Sequence, residues 1–144
     1  MPRTGEKCKK CPPEAGTKIR RNHGPNWDSY RYQAHITGFA FDEAECRWSE
    51  EWQWEGIDFD GFVPGECLLQ EAKANYDQFI DGSKKNSDKW FTGFDRLEVQ
   101  AGDQAEVVHA NPPSKLRWYF QTPLTQKKMA PMLASVGIQS VLQP

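Results

Sequence analysis

The sequence predicts one α/β (α+β) domain, in the order helix, strand, strand, strand, helix, strand, with a central mixed β-sheet flanked by helices. Three observations predict it. Residues 45–73 alternate with the two-residue period of strands, broken only by turn residues. Trp90, Phe94, Leu97, Ala101 and Val108 then fall at helical spacing. Lys115 to Gln121 returns to alternation, with Leu116, Trp118 and Phe120 on one face. Three antiparallel strands therefore receive a fourth through a helical crossover, which sets it parallel to a neighbour.

The elements follow in order. Residues 1–26 are rich in Lys, Pro and Gly and are expected to be irregular, packed on a domain spanning 27–144. Residues 27–37 read as a helix: Asn26 caps it, Trp27, Tyr30 and Ala34 share a face, and Gly38 ends it. In the strand at 45–55, Cys46, Trp48, Trp52 and Trp54 face one way, and Glu45, Arg47, Ser49, Glu51, Gln53 and Glu55 the other. Glu50 breaks the apolar face, as an edge or bulge position rather than a functional acid. Strands at 57–62 and 67–73 form a hairpin around Val63-Pro64-Gly65-Glu66, where Pro then Gly suits a type II turn. A loop is expected at Asp81 to Ser87 and a long helix at 89–109, ended by Asn111-Pro112-Pro113. A helix from Thr125 to Val136, broken by Pro131, and a short strand from Ile138 to Leu142 complete the chain.

With 144 residues the chain can bury a substantial core. No apolar run approaches the ~18 residues that cross a bilayer, and Met1 to Gly16 lacks the apolar region of a secretory signal. Net charge is −2, which excludes a protein coated in basic residues. Its distribution is uneven: residues 1–35 carry +5, 36–83 carry −10 and 84–144 carry +3. Basic flanks around an acidic centre suit a phosphate backbone held about a cation site.

The four cysteines leave the compartment open. Cys8 and Cys11 form a C-x-x-C without the preceding strand of a redox motif, and no second close pair completes a zinc site. A local disulfide or free thiols are favoured over zinc held with His23. Cys46 and Cys67 read as core packing.

The hairpin carries the chemistry. Asp58 and Asp60 share a face of one strand, and Leu69, Glu71 and Lys73 share a face of its partner. Like charges gathered at one point need a counter-ion, and a divalent cation is the natural one. Asp60, Glu71 and Lys73 thus read as the site of a metal nuclease. A hard cation on Asp60 and Glu71 neutralises the scissile phosphate and activates water. Lys73 orients or deprotonates that water, or stabilises the phosphorane. A lone Asp-Gly is ordinarily a turn and a lone Glu-x-Lys ordinarily faces solvent; only their pairing on adjacent strands is informative. Simple register about Pro64-Gly65 sets Asp58 opposite Glu71 and Leu69 opposite Asp60. Asp58 is a metal ligand, a neighbouring acid or a solvated charge. Gln100 and Gln104 share a helix face, to position water or phosphate or simply to meet solvent. His35 and His109 read as structural.

An ordered set of motifs then resembles a known family: Cys8-x-x-Cys11-Pro12-Pro13, Tyr32-Gln33 with Ile36-Thr37-Gly38, Trp52-x-Trp54, Phe59-Asp60-Gly61-Phe62, Leu69-x-Glu71-Ala72-Lys73 with Tyr76-Asp77-x-Phe79, and Trp118-Tyr119-Phe120. Together they resemble the fifth restriction-endonuclease-fold toxin family of bacterial polymorphic toxins, from about Cys8 to about Pro123. The resemblance implies a PD-(D/E)xK core, Mg²⁺- or Mn²⁺-dependent DNA cleavage, and delivery into rival bacteria, often by type VI secretion from an apparatus or upstream domains. It also implies a cognate immunity protein, action in the target cytoplasm and no membrane partner. Asp60, Glu71 and Lys73 match the D…ExK positions, and Gln104 the glutamine of the following helix. Phe59 stands where the family often has Pro. The early helix, which often supplies another acid, holds only Asp28, so Glu50, Glu51 or Glu55 stands as a substitute. An RNase of the same fold, or a non-catalytic zinc-stapled interaction module, is the alternative.

Overall fold

The computed structural model describes residues 10–77 and 87–144, apart from the side chains of 87–92. Cys8 and nearly all of the expected loop at 81–87 lie outside the described residues. The elements run β1 (Thr17–Arg21), α1 (Trp27–Thr37), β2 (Ser49–Trp54), β3 (Ile57–Phe59), β4 (Gly61–Val63), β5 (Leu68–Lys73), α2 (Ser87–His109), β6 (Lys115–Phe120), α3 (Pro123–Ser135) and β7 (Gln139–Leu142). The strands make two sheets, an antiparallel β1-β2-β3 and a mixed β4-β5-β6-β7. In the second, β4 is antiparallel to β5, while β6 is parallel to both β5 and β7. Helix α2 is the expected crossover from β5 to its parallel neighbour. The mixed α/β architecture is the expected restriction-endonuclease-like one.

The strand expected at 57–62 is two strands. Phe59 pairs with Trp52 in the first sheet, whereas Gly61 pairs with Gln70 in the second. Asp60 is the corner between them, and strands that change sheets turn at such corners. The corner is close-packed: a Cβ on Gly61 would lie 2.5 Å from Thr37 Cγ2 and 2.6 Å from Gln70 Oε1. Only glycine lets β4 approach α1 and β5 there.

The hairpin register also differs from expectation. Phe62 pairs with Leu69, so Asp60 is not opposite Leu69, nor Asp58 opposite Glu71. The connection is a 3₁₀ turn at Pro64–Glu66 rather than a type II turn. Its left-handed residue is Cys67 (φ 49°), not Gly65, which lengthens the loop and shifts the pairing.

Cys67 is also bonded to Cys11, 56 residues away in sequence. Neither a local Cys8–Cys11 pair nor simple packing of Cys67 describes it, and the zinc-stapled reading loses one of its thiolates. Cys46 is free and buried, as expected. The disulfide fastens a segment that is not irregular throughout. Thr17–Arg21 is strand β1, paired residue by residue with β2 through Arg21↔Ser49.

Helix α1 begins and ends as expected: Asn26 Oδ1 accepts Ser29 N–H at 3.2 Å, and Gly38 is left-handed. Its buried residues are Tyr30 and Tyr32. Helix α3 continues through Pro131, because Met129 and Leu133 on either side are fully buried and hold that turn in the core. The core runs from Phe59, Leu69 and Trp118 through Leu97 and Ala101 to Met129 and Leu133. Among the described residues, no helix is long and apolar enough to cross a membrane.

Candidate active site

Strand β5 is buried along its whole length, so Glu71 and Lys73, largely withdrawn from solvent, satisfy one another. Lys73 Nζ donates to Glu71 Oε2 at 2.8 Å. Helix α2 closes over the pair. Gln100 accepts from Lys73 Nζ at 2.8 Å and donates to Glu71 Oε2 at 2.8 Å. Gln104 donates to Glu71 Oε1 at 3.0 Å. Both glutamines thus face the site, and Gln104 is fully buried rather than solvated. Helical spacing found them because residues four apart share a face.

Asp60 enters from the corner between the sheets, and its Oδ2 accepts the Ala72 N–H at 2.7 Å. A cavity of about 430 Å³ joins Asp58, Asp60, Glu71, Lys73 and Gln100 with Glu51, His23 and Tyr30. Asp58 lines it at a distance from the centre's bonds: its carboxylate takes Arg21 Nε at 2.8 Å and Arg21 Nη2 at 3.3 Å. Arg21 sits on β1, which explains why a hairpin viewed alone leaves Asp58 undecided.

Glu51 is the acid that sequence periodicity set on the face opposite Cys46 and the tryptophans. It is only 4% exposed and faces the cavity, where its Oε2 pairs with His23 Nε2. Of the substitutes for an early-helix acid, it alone lines the cavity. Glu50 bonds Ala40 N–H and lies 3.7 Å from Lys18, and Glu55 is exposed in a turn. Asp28 lines a different depression, beside Arg31 and His35. His23 belongs to this cavity rather than to a cysteine site. Tyr76, which also lines the cavity, was joined to the hairpin only through the family motif, and His23 and Tyr30 carried no spacing signal that joined them to it.

Burial pushes the Asp60 carboxyl well above its ordinary range; the Glu71 charge adds to this, while Lys73 and the Ala72 N–H oppose it. Burial likewise raises Glu51, with His23 opposing and Glu71 and Asp58 adding. For Lys73, burial acts to lower its pKa, but Glu71, Tyr76 and Asp60 outweigh it and hold the ammonium above the ordinary lysine value. The acids therefore repel one another around a single buried cation. Among the described residues no three His, Cys, Asp or Glu side chains already form a metal cage. Mg²⁺ typically takes only one or two protein carboxylates and keeps its waters. Asp60, raised by burial and by the Glu71 charge, and Glu71 are hard oxygen donors that fit such a cation.

Comparison with curated proteins yielded no match. The sequence model of the family described as restriction endonuclease fold toxin 5 matches residues 29–123, a span that contains α1, the Asp60 corner, β5, α2 and β6. That span is well over half of the chain and includes every residue of the Asp60–Glu71–Lys73–Gln104 group, so the chain belongs to the restriction endonuclease fold toxin 5 family.

Proposed function

We propose that the protein is a divalent-metal-dependent endonuclease that cleaves DNA and serves as an antibacterial toxin, restrained by a cognate immunity protein. The carrying observation is the buried Glu71–Lys73 pair, clasped by Gln100 and Gln104 beside the raised Asp60 carboxyl. A buried ion pair is weak as a source of stability, and perturbed acids gathered in a cleft mark functional sites.

Asp60 and Glu71 would hold Mg²⁺ or Mn²⁺, which, when bound, supplies an activated water and neutralises phosphate charge. The remaining work falls to the chain. Lys73, held as an ammonium, is poorly suited to take a proton; it serves as a fixed positive charge for the developing phosphorane. Gln100 and Gln104 keep the Glu71 oxygens aimed. Asp58 is tied to Arg21 at the rim, which favours a positioning role for it over direct ligation.

The reading implies transfer into a target bacterial cytoplasm, and one domain spanning 27–144 with the β1 segment fastened to it. The test is incubation of the purified protein with supercoiled plasmid and, in parallel, with structured RNA, in Mg²⁺ or Mn²⁺. Plasmid is expected to be cut, EDTA to stop it, and Glu71→Ala to remove both cutting and growth arrest on expression in bacteria. Cutting that survives EDTA and Glu71→Ala would overturn the mechanism; preference for RNA would replace the substrate.

A further inference from the structure

We infer that Trp118 is a positioning residue of this site: its indole N–H sets the orientation of the Gln104 amide, and thereby the aim of Glu71. The consequence for catalysis rests on the nuclease reading above; the pairing itself does not.

Strand β6 lies parallel to β5 with Trp118 in register with Glu71. Trp118 Nε1 donates to Gln104 Oε1 at 2.9 Å. At the other end of that amide, Nε2 donates to Glu71 Oε1 at 3.0 Å and lies 3.4 Å from the Asp58 carbonyl oxygen. An indole N–H can only donate, and a carboxylate and a carbonyl can only accept. Of the two orientations of the Gln104 amide, one satisfies all three neighbours. The reversed one would set NH₂ against N–H and oxygen against both acceptors. Gln104 and Trp118 are both 0% exposed, so water cannot compensate. The second glutamine, Gln100, is oriented instead by Lys73 and Glu71 themselves and is only half-buried, so water can compensate there.

The same indole has a second contact with the centre. Lys73 Nζ stands over its ring, 4.9 Å from the centroid. Trp118 therefore touches the Lys73 cation through its face and reaches Glu71 through Gln104. A phenylalanine would fill most of the same core volume and keep an aromatic face toward Lys73, but would leave Gln104 Oε1 buried without a donor. What Gln104 needs from Trp118 is the nitrogen; the ring face toward Lys73 is a separate contact that phenylalanine retains.

The experiment uses the whole chain and Trp118→Phe, Gln104→Leu and the double variant. With plasmid and Mg²⁺, Trp118→Phe is expected to lower kcat roughly tenfold or more while KM stays within about twofold. On the Gln104→Leu background it should cost nothing further, because its route is already cut. Hydrogen exchange gives a readout apart from activity. The Gln104 side-chain amide protons should be protected in the wild type and lose protection in Trp118→Phe, with backbone amides of α2 unchanged. An unaltered kcat, losses that multiply in the double variant, or Gln104 protons that stay protected would each overturn the inference. Should Trp118→Phe not fold, equal exchange of the Trp118 indole proton in wild type and Gln104→Leu would do the same. If the wild type cuts no nucleic acid, the nuclease reading fails, and the exchange measurements alone decide the pairing.

Discussion

Asp60 accepts the backbone N–H of Ala72, the residue between Glu71 and Lys73, at 2.7 Å. One carboxylate thus latches the corner between two sheets to the strand that carries Glu71 and Lys73. The bond makes the site a property of the fold's junction rather than of the hairpin.

Asp60→Asn should abolish cleavage while making the metal-free protein more stable. Burial and Glu71 hold the ionised Asp60 at a cost, and an amide of the same shape can still accept the Ala72 N–H. Thermal melts at neutral pH in EDTA test it; a lower melting temperature than wild type would contradict the account.

Lys73→Ala should lose activity and also lose stability, by about 3–5 kcal/mol, because Glu71 is left buried without its cation. Adding Glu71→Gln should recover much of the stability and none of the activity. Urea titrations of the single and double variants measure both terms.

Reducing the Cys11–Cys67 disulfide should cost about 4 kcal/mol by the chain-entropy relation for a loop of this length. The Glu71–Lys73–Gln104 contacts lie on β5 and α2, away from the bonded end. Cleavage at low temperature should therefore persist in reductant while the denaturation midpoint falls.

Asp77 caps α3 by accepting from Leu124 N, Thr125 N and the hydroxyls of Thr122 and Thr125. Burial acts to raise its pKa, but the bonds from Thr125 and Thr122 outweigh it and hold it below the ordinary value. A depressed acid contributes stability above its unfolded pKa and loses it as pH falls through the folded one. Asp77→Ala should cost about 1 kcal/mol at pH 7. The gap to wild type should shrink below roughly pH 4, as melts across pH 2–7 would reveal.

Gly61→Ala should destabilise by about 1–3 kcal/mol through overpacking against Thr37 and Gln70. It should also depress cleavage, because moving β4 moves Asp60. Alanine at Gly93, where a Cβ meets nothing within 4 Å among the described residues, is the control and should be neutral or stabilising.

By itself the sequence determined the local elements and named the side chains that meet at the candidate site. Two-residue and helical periods, Asn26 and Gly38 as caps, and Asp60, Glu71, Lys73 and Gln104 in order were all legible, because propensity and spacing are properties of neighbouring residues. Tertiary structure alone decided the split of 57–62 between two sheets, the hairpin register, the Cys11–Cys67 pairing and the strand at Thr17–Arg21. It also turned Glu51 inward, gave Asp58 to Arg21 and set Trp118 behind Gln104. Each of these depends on contacts between residues distant in the chain. There, pairing and burial free energies outweigh local preference, and no period in a single strand records which distant partner will meet it.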